Sequence, residues 1–445
     1  MLYLPHMKSL LILGRQPALG LAELESLYGA KALRPVGPHA AELDVDPVQV
    51  DFDRLGGSTK QAKLLTSLEA TDWNAIQKYL IKETPNHAKL LPEGKLTIGI
   101  SAYGLKTTPQ AINAAGLTLK KVIRATGRPV RLVPNKTLEL NTAQVLHNNL
   151  TQGNAWEILL VRDGTKTIVA QTVRAQDIES YTVRDRERPK RDPRVGMLPP
   201  KLAQLLINLA VGELPRHAGS EMEYEDESGA STGEDVVGDH AGVTVLDPFC
   251  GTGVVLQEAL LMRYAAYGTD IDKRMVEFSR ANIDWLARSF ELGDFGAVIE
   301  QGDATKYRWE HPFTHVAAET YLGRPFTSRP SPEVLAQTVN ECNVIIKKFL
   351  KNIGGQMPAG TRLCLAVPAW QTRPGQFKHL PILASTSAAK PSAAAKLPAT
   401  TGQHLDQIGE LGYNRMRFEH TSAEDLLYYR PDQVVARELL VLEKV

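Results

Sequence analysis

The residues best suited to chemistry form an ordered set in the second half of the chain. Asp247-Pro-Phe-Cys-Gly-Thr-Gly253 follows an apolar, strand-like run and leads directly into a helix-like one. Gly251 and Gly253 stand where the backbone must bend sharply and a ligand must approach closely, in space that a side chain would fill. Asp270, at the end of the next strand-like run, is placed to accept hydrogen bonds from both hydroxyls of a ribose, and Asp303, ending the third, from the amino group of an adenine. A lone Asp after a strand is more often a helix cap. Three acids at consecutive strand ends beside a glycine turn converge instead on one crevice, and a nucleoside-bearing cofactor is what such a crevice holds. Phe249, within the turn, and Ile271 and Ala304, each directly after one of the acids, complete the expected cofactor-binding set.

The dinucleotide fingerprint requires a third glycine, and Gly251-Thr-Gly253-Val-Val-Leu256 has Leu in its place. A nicotinamide cofactor is therefore the weaker choice. S-adenosylmethionine, with no pyrophosphate to cradle, needs fewer glycines. Cys250 lies inside the turn, but no His or Lys neighbour would lower its pKa, so it reads as a small packing residue rather than a nucleophile.

The elements that must position these groups alternate. Strands are expected near 243–247, 265–270, 296–302, 313–319 and 362–367, with helices at 254–262, 273–289 and 332–351, the pattern of a doubly wound sheet. The first 175 residues read differently. A strand at Leu10-Leu-Ile-Leu-Gly14 precedes a helix beginning near Pro17, further strands fall at 95–101, 128–133, 157–161 and 167–172, and helices at 107–126 and 142–150. Asp163-Gly164 marks a hairpin between the last two strands. The expected organisation is an α+β, ferredoxin-like unit at 1–95, a second α+β unit at 96–180, a basic linker and helix at 181–217, and a Rossmann-like domain at 241–445. Residues 218–240 hold eight acids and no Lys or Arg and read as a disordered acidic insertion, and the Ala-, Ser- and Pro-rich stretch 384–402 reads as a flexible loop.

At 445 residues the chain is too long for one ordinary core. Its net charge is only +1, so affinity for nucleic acid must come from local clustering. Two clusters qualify. Lys120, Lys121, Arg124, Arg128 and Arg131 fall in an acid-free stretch, and Arg188, Lys190 and Arg191 lie in the linker, diluted by Asp185, Glu187 and Asp192. A charge run is usually a solvated face, and only its setting turns it into an RNA-binding surface. Three widely spaced cysteines argue against a disulfide framework and offer no zinc spacing, so no metal is expected and a reducing cytoplasm fits best. No apolar run reaches the length of a membrane span and no targeting segment is read, so neither a membrane nor an anchor is expected. A monomer is favoured.

The turn Asp247-Pro-Phe-Cys-Gly-Thr-Gly253 resembles the first motif of the class I methyltransferases that modify exocyclic amines of guanine in RNA. The chain as a whole resembles the THUMP-domain group of tRNA guanine-N2 methyltransferases. That resemblance also rests on Leu11-Ile-Leu-Gly14, Gly196-Met-Leu-Pro-Pro-Lys-Leu-Ala203 and Leu427-Tyr-Tyr-Arg-Pro-Asp-Gln-Val-Val-Ala-Arg437, and covers nearly the full length apart from the two low-complexity stretches. It implies a THUMP-like N-terminal half that docks on the body and 3′ end of tRNA, and methyl transfer from S-adenosylmethionine to the N2 amine of a guanosine.

The family usually carries Asp-Pro-Pro-Tyr after the fourth strand, where this chain has Ala318-Glu319-Thr320-Tyr321. Both prolines are missing and the acid stands one place late. In one reading Glu319 takes over the acid's role, orienting the amine, while Tyr321 stacks on the flipped base. In another the site targets a different atom or methylates nothing; in a third Glu319 is a helix cap and Tyr321 core filler. Ribosomal RNA as the substrate, and an RNA-binding protein that keeps the cofactor fold without turnover, stand as alternatives.

Overall fold

A computed structural model of the chain describes residues 7–89, 93–192, 197–213, 242–293, 296–326, 328–383 and 407–445. The acidic stretch 218–240 and the loop 384–402 lie outside the described residues. Two mixed sheets organise the rest.

The first sheet is built from β1 (Ser9–Leu13), β2 (Leu33–Val36), β3 (Ala40–Leu43), β4 (Ser58–Leu68), β5 (Leu96–Tyr103), β6 (Val130–Leu132), β7 (Ala155–Asp163) and β8 (Lys166–Ala175), in the order β2-β3-β1-β4-β8-β7-β5-β6. The antiparallel pairing of β4 with β8 runs the sheet without a break across position 95. Helix α1 (Pro17–Tyr28) covers β1 and β3, while α2 (Trp73–Ala88) and α3 (Pro109–Ala125) cover β5, β7 and β8. Pro17 and Pro109 occupy first helical positions, where no N–H is needed, and Thr108 caps α3 by accepting from the Ala111 N–H. A short helix, α4 (Thr142–His147), follows. The β7–β8 hairpin closes with Asp163 opposite Lys166, so Gly164, at φ +58°, takes the first of two loop positions. Glycine adopts that left-handed conformation without steric cost.

Two linker helices, α5 (Ile178–Arg186) and α6 (Pro200–Val211), lead to the second sheet. Its strands are β9 (Thr244–Asp247), β10 (Ala265–Asp270), β11 (Ala297–Gln301), β12 (His315–Glu319), β13 (Arg362–Arg373), β14 (Gln376–Lys378), β15 (Tyr413–Arg415), β16 (Leu427–Tyr428) and β17 (Val435–Lys444). The main path is β11-β10-β9-β12-β13-β17-β15. Strands β9 to β13 run parallel, and β17 inserts antiparallel to β13 over nine residue pairs. This is a doubly wound sheet with its switch point at β9 and β12. Helices α7 (Val254–Leu261) and α8 (Lys273–Ser289) share one core layer with α6, whereas α9 (Pro332–Gly354) anchors the opposite layer. Alternate residues of β13 serve the two layers: Cys364 and Ala366 on one side, Leu363, Leu365 and Val367 on the other.

The two halves are bolted together by buried polar contacts. Glu23 of α1 accepts from the Gly56 and Gly57 N–H groups and from Asn208 Nδ2 of α6. Arg54 donates to Asn208 Oδ1 at 3.0 Å and to the Tyr264 hydroxyl at 2.6 Å. Among the described residues no helix is long and apolar enough to cross a membrane.

Candidate functional site

The strand ends of β9, β10, β11 and β12 open into a cavity of about 750 Å³. Every residue read from the sequence for the cofactor has a place there except Gly253: Asp247, Phe249, Gly251, Asp270, Ile271, Asp303 and Ala304 line it, and so do Glu319 and Tyr321. Gly253 sits just behind the wall, at the start of α7 with φ +82°, and a Cβ there would lie 2.9 Å from Ser279 Oγ. Gly251, at φ +52°, is also left-handed but has open space around it. One glycine is required by crowding and conformation together, the other by conformation alone.

The turn is braced from both sides. Asp270 accepts from the Gly251 N–H and from the Asp272 N–H, each at 2.9 Å. On α8, Ser279 Oγ donates to the Gly251 carbonyl and Asn282 Nδ2 to the Thr252 carbonyl, both at 2.8 Å. Asn282 also exchanges hydrogen bonds with the backbone of Lys190, tying the linker to the turn.

The three acids differ in electrostatic setting. Asp247 is buried, accepts from the Phe249 N–H, and burial pushes its carboxyl well above the usual carboxylate range. Asp270 is shifted upward for the same reason, more gently. Asp303 moves down, because the Thr305 hydroxyl and N–H both donate to it. Asp303 is thus the acid best held as an anion, and Asp247 works as a brace for the turn. Ile271 and Tyr321 present exposed apolar surface, 67% and 42% accessible, at the cavity edge. Flat ligand faces could be sandwiched there.

Glu319 ends β12 and is held by Arg437 of β17, whose Nε donates to Glu319 Oε1. The side chains are 15% and 10% exposed, so the pair is largely desolvated. Glu319 Oε2 makes no hydrogen bond among the described residues. Glu319 is therefore not a helix cap, and Tyr321 is not core filler. The Thr320 N–H and hydroxyl both bind the Ala366 carbonyl, which fixes the segment between them. In the sequence Arg437 stands out only as the last residue of the Leu427–Arg437 segment. Its partner lies 118 residues away in sequence, and no local pattern links them.

Cys250 is buried, and burial raises its thiol far above its ordinary pKa, which fits packing rather than nucleophilic attack.

The expected RNA-binding residues divide. Lys121, Arg124 and Arg131 are exposed around α3 and β6, Lys120 is half-buried, and Lys190 and Arg191 are exposed in the linker. Arg128 is a correction: its guanidinium clamps the Ala88 and Gly94 carbonyls and Asn154 Oδ1, so it closes a turn instead of facing solvent. Arg188 is a second one. It is 2% exposed and burial lowers its pKa, because the linker folds back against α7 and places that position inside. Arg184, four residues before Arg188, is buried on Glu258 at 2.8 Å.

No family model matches the chain. Over 174 residues it is 28% identical to the tRNA (guanine(10)-N2)-dimethyltransferase of Methanothermobacter thermautotrophicus, a stretch that makes up 39% of each chain. Over 86 residues it is 37% identical to the enzyme of that name from Pyrococcus abyssi, covering 19% of this chain and 24% of that one. The chain is similar to tRNA guanine-N2 methyltransferases. It spans about two fifths of the first of these relatives and a quarter of the second. Among solved structures, TrmN from Thermus thermophilus aligns over 99% of this chain and 100% of its own, at 17% identity and a TM-score of 0.47.

Proposed function

We propose that the chain transfers a methyl group from S-adenosylmethionine to the exocyclic N2 amine of a guanosine in tRNA. The observation that carries this reading is one cavity lined by three strand-end carboxylates together with Tyr321 and with Glu319, which Arg437 holds. The two named relatives, both tRNA (guanine(10)-N2)-dimethyltransferases, support the choice of acceptor.

The residues present suit S-adenosylmethionine. The left-handed glycine turn leaves room for a ligand beside Gly251, where an added Cβ would meet nothing closer than 3.9 Å. Asp270 would hold the ribose and Asp303 the adenine amino group, with Ile271 and Phe249 against the ring. When bound, the cofactor supplies a methyl group already activated on a sulfonium. The protein's own task is then to orient the acceptor. Glu319, fixed through Oε1 by Arg437, offers Oε2 to an N–H of the amine, turning the nitrogen lone pair into the cavity and standing ready for the proton released on transfer. Tyr321 stacks on the flipped base. Holding reactants in line is worth roughly 7 to 11 kcal/mol of barrier, so no covalent enzyme intermediate is needed. The N-terminal half, in its THUMP-like role, would present the exposed part of α3 to tRNA phosphates, and the enzyme would work in the cytoplasm.

Methyl transfer from radiolabelled S-adenosylmethionine to total tRNA and to ribosomal RNA, followed by nucleoside mass spectrometry, tests the reading. N2-methylated guanosine in tRNA is expected. Label only in ribosomal RNA would move the substrate, and cofactor binding without label would make the protein a binding module. Glu319→Gln keeps the shape but removes the charge; it should bind S-adenosylmethionine normally and lose about 100-fold or more in rate. Full activity in that variant would remove Glu319 from the mechanism.

A further inference from the structure

A second cavity, of about 360 Å³, lies where the N-terminal sheet, the linker and the C-terminal segment meet. Arg15 enters it from the β1–α1 loop, Arg186 from the end of α5, Lys201 from the first turn of α6 and Arg430 from the loop after β16. Among the described residues Asp185 is the one carboxylate that lines it. Arg15, Arg186 and Arg430 are exposed, and none of them forms an ion pair among the described residues. Two other surface arginines are paired: Arg34 with Glu42 and Asp163, and Arg174 with Asp53. Three unspent guanidinium groups around one cleft are a concentration of positive charge with no internal purpose.

The cleft is built rather than incidental. A Cβ on Gly56 would fall 2.0 Å from the Lys201 carbonyl, so the two halves meet backbone to backbone at its base. Gln16 Nε2 donates to the Tyr429 carbonyl at 2.7 Å, fixing the two segments that carry Arg15 and Arg430. It also borders the large cavity. Leu198 lines the large cavity while Pro199 and Pro200 line this one, so a single short segment separates them. Tyr428, in the cleft wall, is the register partner of Arg437, the residue that holds Glu319.

We propose that this cleft binds the phosphodiester backbone of the substrate RNA next to the target nucleotide. The proposal rests on the tRNA reading above. Guanidinium forks match phosphate oxygens two at a time, and these three lose no protein partner on binding. Contact through phosphates suits recognition by shape, and its position beside Leu198 would hold the strand that delivers the base into the large cavity.

The test uses the full chain with Arg15→Gln, Arg186→Gln and Arg430→Gln combined, and the same three positions changed to Lys. An unmodified tRNA transcript is titrated by fluorescence anisotropy across a salt series, and S-adenosylmethionine by calorimetry. The Gln variant should bind the transcript about tenfold or more weakly, and its slope of log Kd against log salt should be shallower by about two to three, one phosphate for each arginine. The Lys variant should recover most of the slope, with S-adenosylmethionine affinity unchanged in both. Unaltered RNA affinity and slope in the Gln variant would overturn the proposal. If the Gln variant melts early, Arg430→Glu alone decides, with weaker RNA binding for the cleft and unchanged binding against it. A wild-type protein that binds tRNA through these residues yet methylates nothing would leave the cleft standing and remove the enzymatic reading. Methylation that survives the Gln variant with RNA affinity and slope unaltered would do the reverse, and a wild type that does not bind tRNA at all would overturn both.

Discussion

Substituting Gly253 by Ala perturbs the glycine turn at a single atom, and the cost can be worked out. The residue sits at φ +82°, a conformation that costs an L side chain about 1–2 kcal/mol. The new Cβ would lie 2.9, 3.2 and 3.3 Å from Oγ, Cβ and Cα of Ser279, contacts that only movement can relieve. Ser279 is not free to rotate away, because its hydroxyl donates to the Gly251 carbonyl. Overpacking of this kind costs about 1–3 kcal/mol, for a total of about 2–5 kcal/mol. Gly360 supplies the control: its φ is also +82°, but a Cβ there meets nothing within 4 Å. Gly360→Ala should therefore show the backbone part alone. Chemical denaturation of the two variants, followed by circular dichroism, should separate them by about 2 kcal/mol. Calorimetric titration should show weakened S-adenosylmethionine binding for Gly253→Ala only. Equal stability losses, within about 0.5 kcal/mol, would refute the claim that Ser279 makes this glycine obligatory.

Arg437→Met should cost about 2–3 kcal/mol, less than a deeply buried broken pair, because Glu319 lines an open cavity that water can enter. Its turnover should fall together with that of Glu319→Gln, and the double variant should be no worse than the worse single; additive losses would show that the pair does not act as a unit. Changing Lys120, Lys121 and Arg124 to Ala should weaken tRNA binding and flatten its salt dependence, and an unchanged slope would take the exposed part of α3 out of the RNA-binding surface. His379 Nδ1 lies 2.5 Å from Glu438 Oε2, and this carboxylate raises the imidazole pKa. The pairing stabilises the fold below the ordinary His pKa near 6.5 and fades as pH climbs through the raised folded value. His379→Asn should thus melt lower than wild type at pH 6 and converge with it at higher pH; a gap that stays constant would refute the linkage.

The repeated strand–helix units of the second half were legible because each carries its own signals. For β10 and α8 the expected bounds, 265–270 and 273–289, are those observed, since Asp272 caps the helix and apolar residues recur on one face. The glycine turn was legible for the same reason: glycine at positions of positive φ is a local demand, written in the residue type. The strands β2, β3, β4 and β17 were not read. Ser58–Leu68 carries three polar residues, Ser58, Lys60 and Gln61, that become buried only when β4 is enclosed by β1 and β8. Lys60 survives there because Glu157, far off in sequence, neutralises it.

The basic runs mark the boundary most clearly. Charge in a sequence is a count, and Arg128, Arg184, Arg188 and Lys190 look equivalent in it. Tertiary structure spends Arg128 on backbone carbonyls, seals Arg184 on Glu258, buries Arg188 and leaves Lys190 exposed. What the residues determined by themselves was the crevice of carboxylates around a glycine turn, because local backbone geometry and strand ends place those groups. What only the folded chain decided was the partner of Glu319 and the assembly of Arg15, Arg186 and Arg430 around one cleft, because contacts between distant segments depend on how the two sheets pack.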